Sequence, residues 1–182
     1  MDVILFALMF FLVLLLGIYL LIHIFYSLGL VAIARHRQIP RAALAWIPFI
    51  GTAYMTGAIA DDQDRRVRNS DYGLRYWLLG TSVILLILTV VLLALLFRTG
   101  TGYADNTEDP VYLMFTFITL IVGLPFTALW YLAHFKLYKA CQPNNSVAFL
   151  LLSIFVGLAP FLVFAVRHYA DGERVCRVLR PD

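Results

Sequence analysis

The chain has 182 residues, of which 62% are apolar and only 14% are charged, whereas soluble domains are roughly 45–50% apolar and about 25% charged. This composition excludes an ordinary soluble domain. The formal net charge of +3 does not indicate a nucleic-acid partner, because Lys and Arg are confined to short loops and a tail, where they orient membrane spans.

Most of the chain falls in stretches that lack Lys, Arg, Asp and Glu. There are five of them: residues 3–34, 42–60, 76–97, 111–133 and 147–166. Each is 19 residues or longer, and about 20 residues cross a hydrocarbon core of ~30 Å. None alternates polar and apolar residues as a barrel strand would, so helices satisfy the backbone in lipid. The sequence predicts an all-α integral membrane helical bundle, with residues 1–182 forming a single membrane domain.

The first stretch, residues 3–34, predicts a transmembrane helix that is retained. Met1-Asp2-Val3 lacks the basic region of a signal peptide, and the apolar run is far longer than a signal-peptide core. The stretch is followed by Arg35-His36-Arg37 and then by Pro40, which breaks helices. We therefore expect the first helix to finish in a basic turn on the cytoplasmic side.

Tyr19, His23 and Ser27 form a candidate intramembrane polar face within this helix. Their i, i+4, i+8 spacing places them on one side of the helix. His23 is the one titratable side chain deep in a predicted span, and such groups are candidates for function. Two interpretations stay open: a neutral imidazole that hydrogen-bonds across helices, or part of a proton or solute relay. His36, His134 and His168 fall at predicted helix ends, where we expect an interfacial position.

Residues 76–97 and 111–133 are predicted to span, whereas residues 42–60 and 147–166 are interrupted by proline. Residues 42–60 contain only five Leu, Ile, Val or Phe residues, which contribute roughly −1.5 to −3 kcal/mol to insertion. Residues 147–166 are more apolar but contain a glycine and a proline. Each segment is re-entrant, interfacial or spanning. The candidate positions for a kink or reversal are Pro48, Gly51, Gly157 and Pro160.

Charge distinguishes three topologies, because cytoplasmic loops carry the excess of Lys and Arg. With five spans, 8 of the 14 basic residues lie inside; if only residues 42–60 fail to cross, 9 do. If neither interrupted segment crosses, 13 lie inside and only Arg98 lies outside. All three topologies place the N-terminus outside. The basic tail, residues 167–182, is cytoplasmic in two of them, which favours a cytoplasmic C-terminus.

Asp61, Asp62 and Asp64 form the one acidic cluster that invites a metal interpretation, since carboxylates can hold Mg²⁺ against a phosphate. The corresponding hypothesis is a lipid-modifying enzyme. Basic residues follow at once, at Arg65, Arg66 and Arg68. We therefore expect a solvated, salt-bridged loop and no metal. Cys141 and Cys176 have no pairing pattern, and we expect both to be free thiols.

Several short motifs resemble those of a group of small bacterial multi-spanning membrane proteins of unknown function. They are Leu44-Ala45-Trp46-Ile47-Pro48, Gly57-Ala58-Ile59-Ala60-Asp61, Gln142-Pro143-Asn144-Asn145-Ser146-Val147, Pro160-Phe161 and Phe164-Ala165-Val166-Arg167. The resemblance implies a bacterial cytoplasmic membrane. It implies no catalytic residue.

The sequence contains none of the common nucleotide-binding, hydrolase, metalloprotease or haem motifs. We therefore expect no enzyme activity, no cofactor and no catalytic residue. The first functional hypothesis is an accessory or scaffolding subunit that acts as a homo-oligomer or with a larger membrane-protein partner. The alternative is a small-solute or ion transporter or channel, formed by oligomerisation, with its path around His23 and the two interrupted segments.

Overall fold

The computed structural model describes residues 2–68, 73–99 and 110–168, and these residues are helical with no strand. The α-helices are α1 (Asp2–His36), α2 (Ile50–Arg68), α3 (Leu74–Thr99), α4 (Pro110–Cys141), α5 (Ser146–Val156) and α6 (Ala159–Val166). Two short 3-10 helices cover Ala42–Trp46 and Pro143–Asn145. Within the predicted tail, residues 169–182, which include Cys176, lie outside the described part of the chain.

Three helices are long and apolar enough to cross a membrane, over Met9–His36, Leu74–Leu95 and Leu113–Cys141. They coincide with the predicted spans 3–34, 76–97 and 111–133. Helix α4 continues well beyond residue 133 because its polar residues there have partners inside the protein. His134, for example, is fully buried, so its predicted interfacial position is wrong.

Residues 42–60 do not form one helix, and the chain reverses twice around them. After α1 the chain turns back, and the 3-10 helix Ala42–Trp46 runs along α1, where Ser27 Oγ donates to the Ala45 carbonyl at 2.8 Å. At Phe49, whose φ is +63°, the chain reverses again into α2. Helix α2 then runs parallel to α1, with Thr56 against Tyr26. We call residues 38–64 the first hairpin.

Residues 147–166 form a second hairpin, made of α5 and α6. Helix α5 returns along α4, where Tyr138 contacts Ser153 and Phe149. The helix ends at Gly157, whose φ of +67° suits a residue without a side chain. Helix α6 then runs down α1, with the Phe164 ring 5.0 Å from that of Phe25. Pro160 lies in the first turn of α6, a position that tolerates proline.

Both hairpins enter and leave at the end of the molecule where α1 and α4 finish. This is the path expected if neither interrupted segment crosses a membrane. The basic residues of this end, which we call the basic end, are Arg35, Arg37, Arg41, Arg65, Arg66, Arg68, Arg75, Lys136, Lys139 and Arg167. Arg98 lies near the C-terminal end of α3, far from the basic end.

Helix α2 occupies the centre of the packing. Between Gly51 and Asp61 every residue except Tyr54 is buried, although the helix is short and its second half is charged. Gly57 allows α3 to approach, since a Cβ there would lie 2.6 Å from the Arg75 Cα. At Gly29 a Cβ would lie 2.9 Å from the Phe164 Cα, so α6 rests directly on the α1 backbone.

Replacing Gly29 by leucine should separate α6 from α1. We expect Gly29→Leu to lower the free energy of unfolding by about 1–3 kcal/mol, the usual cost of overpacking, measured by thermal unfolding in detergent. Gly17→Leu is the matched control on the same helix, because nothing lies within 4 Å of a Cβ at Gly17. Equal melting temperatures for the two variants would contradict the packing of α6 on α1.

Candidate functional site

The tips of the two hairpins meet at a cavity of about 320 Å³ between α1 and α4. We call it the hairpin cavity. Its lining residues come from four parts of the chain: Tyr19, Ile22, His23 and Tyr26; Phe49 and Thr52; Trp130 and Tyr131; and Ser153, Gly157, Ala159 and Pro160.

The cavity lies about halfway along the long helices. At ~1.5 Å per residue, His23 lies about 20 Å from His36 and Trp130 about 16 Å from Cys141. Half of a hydrocarbon core is ~15 Å. If the long helices cross a membrane, the cavity is therefore near the middle of the bilayer, and the space between α1 and α4 gives access to it.

The predicted polar face of α1 holds the returning chain of the first hairpin. His23 Nε2 lies 3.2 Å from the Trp46 carbonyl oxygen and 3.3 Å from Ser27 Oγ. The Tyr19 ring stacks on His23 with centroids 6.2 Å apart. The structure thus brings Tyr19, His23 and Ser27 together, as the spacing predicts. His23 makes the cross-segment hydrogen bond of the first interpretation and also lines the cavity.

A buried hydrogen-bonded group lies directly beside the cavity. Tyr26 Oη is 2.8 Å from Thr56 Oγ1 and 2.9 Å from His134 Nε2, while His134 Nδ1 is 2.8 Å from the Trp130 carbonyl oxygen. Sequence reasoning missed Tyr26 and His134 as partners. The available signal was the aromatic spacing Trp130, His134, Tyr138 along one face of α4.

The four predicted kink positions have different roles. Gly157 and Pro160 line the cavity, where the second hairpin reverses. Pro48 lies in the tip of the first hairpin, immediately before Phe49. Gly51 does not line the cavity; a Cβ there would lie 1.9 Å from the Leu44 carbonyl oxygen. It therefore lets the first turn of α2 pack against the 3-10 helix.

The acidic cluster is not a solvated loop, and that expectation is wrong. Asp61, Asp62 and Asp64 belong to α2, and Asp61 and Asp64 are buried. The Asp61 carboxylate accepts hydrogen bonds from the backbone N–H groups of Leu74 at 2.8 Å and Arg75 at 3.1 Å. It thereby caps the start of α3, where the first N–H groups of a helix lack internal partners.

The other two carboxylates form separate ion pairs. Asp62 Oδ2 pairs with Arg37 at 3.0 Å and with Arg66 at 2.9 Å, and Asp64 pairs with Lys136. The salt bridges of the cluster are as expected, but they join different helices. In the part of the chain that the structure describes, no group of three or more His, Cys, Asp or Glu residues is arranged to hold a metal ion.

Comparison with known proteins gives no guide to the role of this cavity. The chain matches no protein-family profile, no curated protein and no solved structure. The function therefore has to be inferred from the residues themselves.

The ion pair between Asp64 and Lys136 should couple α2 to α4 energetically. Removing one charge takes this ion pair from the other in a largely buried position, so we expect Asp64→Asn or Lys136→Met each to cost roughly 2 kcal/mol of unfolding free energy. The double variant should cost less than the sum, with a coupling of about 0.5–3 kcal/mol. Denaturant unfolding of the four proteins measures this coupling, and strictly additive effects would contradict it.

Proposed function

We propose that this protein is a non-enzymatic membrane transporter or channel that binds a small solute in the hairpin cavity. The observation that carries the proposal is the meeting of two hairpin tips at one cavity, midway along helices able to cross a membrane. Interrupted helices that meet near the bilayer midplane form the binding sites of many transporters.

The cost of exposing backbone in lipid supports this proposal. Irregular backbone at membrane depth is tolerated only where it is buried in protein or lines an aqueous cavity. The reversals at Phe49 and Gly157 both line the cavity, and both would lie at this depth in the proposed topology. A protein whose only task was to span the membrane would not need either reversal.

A second candidate is the accessory or scaffolding subunit. The observation that favours it is the outer half of α1, where every residue from Met9 to Leu21 is exposed. A partner helix or a second copy of the chain could cover this apolar surface.

We further propose a bacterial cytoplasmic membrane, with the N-terminus outside and both hairpins entering from the cytoplasm. The support is the basic end, which carries ten of the fourteen Lys and Arg residues, because basic residues remain on the cytoplasmic side. The motif resemblance favours the same membrane. In this topology the exposed apolar surface of α1 contacts lipid, a second copy of the chain or a larger membrane-protein partner.

Reporter fusions after Arg75, after Asp182 and after Thr99 test this topology. We expect the first two reporters to be cytoplasmic, because both hairpins return to the basic end, and the third to be outside. Activity of paired cytoplasmic and periplasmic reporters gives the location of each site. An outside location after Arg75 would show that residues 42–60 cross and would contradict the proposed topology.

Filling the cavity should block the solute path. In proteoliposomes, we expect at least one solute from a panel of small amines, amino acids, sugars and carboxylates to enter faster than into empty vesicles. Ala159→Trp places a bulky ring in the cavity and should slow this flux by roughly tenfold, which corresponds to about 1.4 kcal/mol.

The matched control is Ala165→Trp, an exposed position on the same helix, which should keep the wild-type flux. Protein-dependent flux that Ala159→Trp leaves unchanged would contradict a path through the cavity. Absence of any protein-dependent flux would favour the scaffolding candidate, since a scaffold has no solute path.

A further inference from the structure

We infer that the hairpin cavity selects small organic ammonium ions over anions and over neutral molecules of the same size. This inference rests on the proposed function and names the class of solute. It follows from the hydrogen bonds of four polar side chains that line the cavity: His23, Tyr26, Thr52 and Ser153. Each of these four gives its hydrogen to an acceptor in the protein, so what these four side chains leave for a ligand is lone pairs.

The two hydroxyls on the hairpins donate to carbonyl oxygens of their own helices or turns. Thr52 Oγ1 donates to the Phe49 carbonyl at 3.0 Å, and Ser153 Oγ donates to the Phe149 carbonyl at 2.8 Å. A hydroxyl has one hydrogen and two acceptor lone pairs. Both side chains are therefore left as acceptors, and one lone pair of Ser153 already accepts from the Tyr138 hydroxyl at 2.7 Å.

His134 likewise leaves the Tyr26 hydroxyl oxygen as an acceptor. Because His134 Nδ1 faces the Trp130 carbonyl oxygen, the imidazole proton is on Nδ1, and Nε2 of the neutral ring is an acceptor. The Tyr26 hydroxyl, 2.9 Å from that Nε2, must then donate to it. The Tyr26 oxygen has only lone pairs left, one of which faces Thr56.

His23 offers an acceptor as well. Its Nε2 faces the Trp46 carbonyl oxygen, which requires a hydrogen on Nε2. In the tautomer that carries its hydrogen on Nε2, Nδ1 has a lone pair. Ser27 does not compete for it, because Ser27 Oγ donates to the Ala45 carbonyl and accepts from His23.

Some backbone positions at the hairpin tips offer no donor to a ligand. At the first tip the N–H groups of Ile50 and Gly51 bond to the carbonyls of Pro48 and Ile47. At the second tip Pro160 has no N–H. The hydroxyls of Tyr19 and Tyr131 can either donate or accept a hydrogen bond, so they do not determine the charge of the ligand.

The ring faces of the lining favour the same charge. Among the residues that the structure describes, the lining of the cavity contains no Lys, Arg, Asp or Glu. It contains five aromatic residues: Tyr19, Tyr26, Phe49, Trp130 and Tyr131. A cation near such rings gains cation–π attraction, most with tryptophan. Arg37 and Lys136 lie toward the basic end and are held in ion pairs. An ammonium ion thus interacts with the lone pairs and with the rings together, whereas the described lining offers a carboxylate no Lys or Arg.

A ligand series of matched size tests this inference on the full chain in lipid nanodiscs. The chain has three tryptophans, so Trp46→Phe with Trp77→Phe leaves Trp130 as the sole fluorescent reporter in the cavity wall. Titration with butylammonium, butanol and butanoate should give saturable binding of butylammonium that is roughly tenfold or more tighter than that of the other two. Calorimetry with the same ligands provides a readout that does not depend on fluorescence.

Thr52→Val tests the acceptor lone pairs, because it removes one oxygen and keeps the shape. We expect it to weaken butylammonium binding by roughly threefold to tenfold and to leave butanol binding unchanged. Thr127→Val is the control, since Thr127 is exposed on α4. Its hydroxyl donates to the Gly123 carbonyl, just as the Thr52 hydroxyl donates to the Phe49 carbonyl. Thermal unfolding of each variant verifies that it is folded.

The outcomes separate this inference from the proposed function. Binding of butanoate or butanol as tight as that of butylammonium overturns the inference. So does selective binding that Thr52→Val does not weaken, or no binding of any of the three. If a solute of another class still crosses the membrane through a path that Ala159→Trp blocks, the proposed function stands and only its ligand class is wrong.

Discussion

The rest of the structure depends on the ion pair and hydrogen bonds made by the buried guanidinium of Arg37. It pairs with Asp62, donates to Gln63 and donates to the Ala140 carbonyl at 2.9 Å. One side chain of α1 thus ties down the end of α2 and the end of α4. A buried charge without such partners would cost several kcal/mol, so the depth of both helices is fixed relative to α1. The first hairpin is joined to the end of α1 and the second to the end of α4. The position of the cavity at the hairpin tips is therefore fixed as well.

The two halves of α2 explain why the first hairpin returns. Its first half, from Ile50 to Ala60, is about 16 Å long at ~1.5 Å per residue, too short to cross the hydrocarbon core. Its second half contains Asp61, Asp62 and Asp64, whose partners all lie at the basic end. In the proposed topology the helix therefore enters the membrane only as far as its apolar half allows. Small residues such as Gly57 let its neighbours surround it, so Thr52 and Thr56 are buried in protein.

The sequence predicts the long helices and the unusual segments well, because hydropathy and charge are properties of contiguous residues. The break at Gly157 and the reversal next to Pro48 were among the predicted positions, and the charge count favoured segments that do not cross. The site itself could be predicted only in part. His23 follows from its isolation in an apolar run, but Tyr26 and His134 are 108 residues apart, and nothing local joins them. The acidic cluster was misplaced for the same reason: Arg37 and Lys136, which allow its burial, are remote in sequence.

The enclosure of the first hairpin has a consequence for biosynthesis. Residues 38–64 leave the ribosome well before α4 and α6, yet His134 completes the bonds of Tyr26, and α6 closes over α1 at Gly29. Until α4 arrives, the hydrogen-bonded pair Tyr26–Thr56 lacks its third partner, whereas α1 and α3 already contact Thr56 and Asp61. In the proposed topology, the first hairpin therefore reaches its final depth only once α4 is in place. The order in which these segments are made then differs from the order in which they reach that depth.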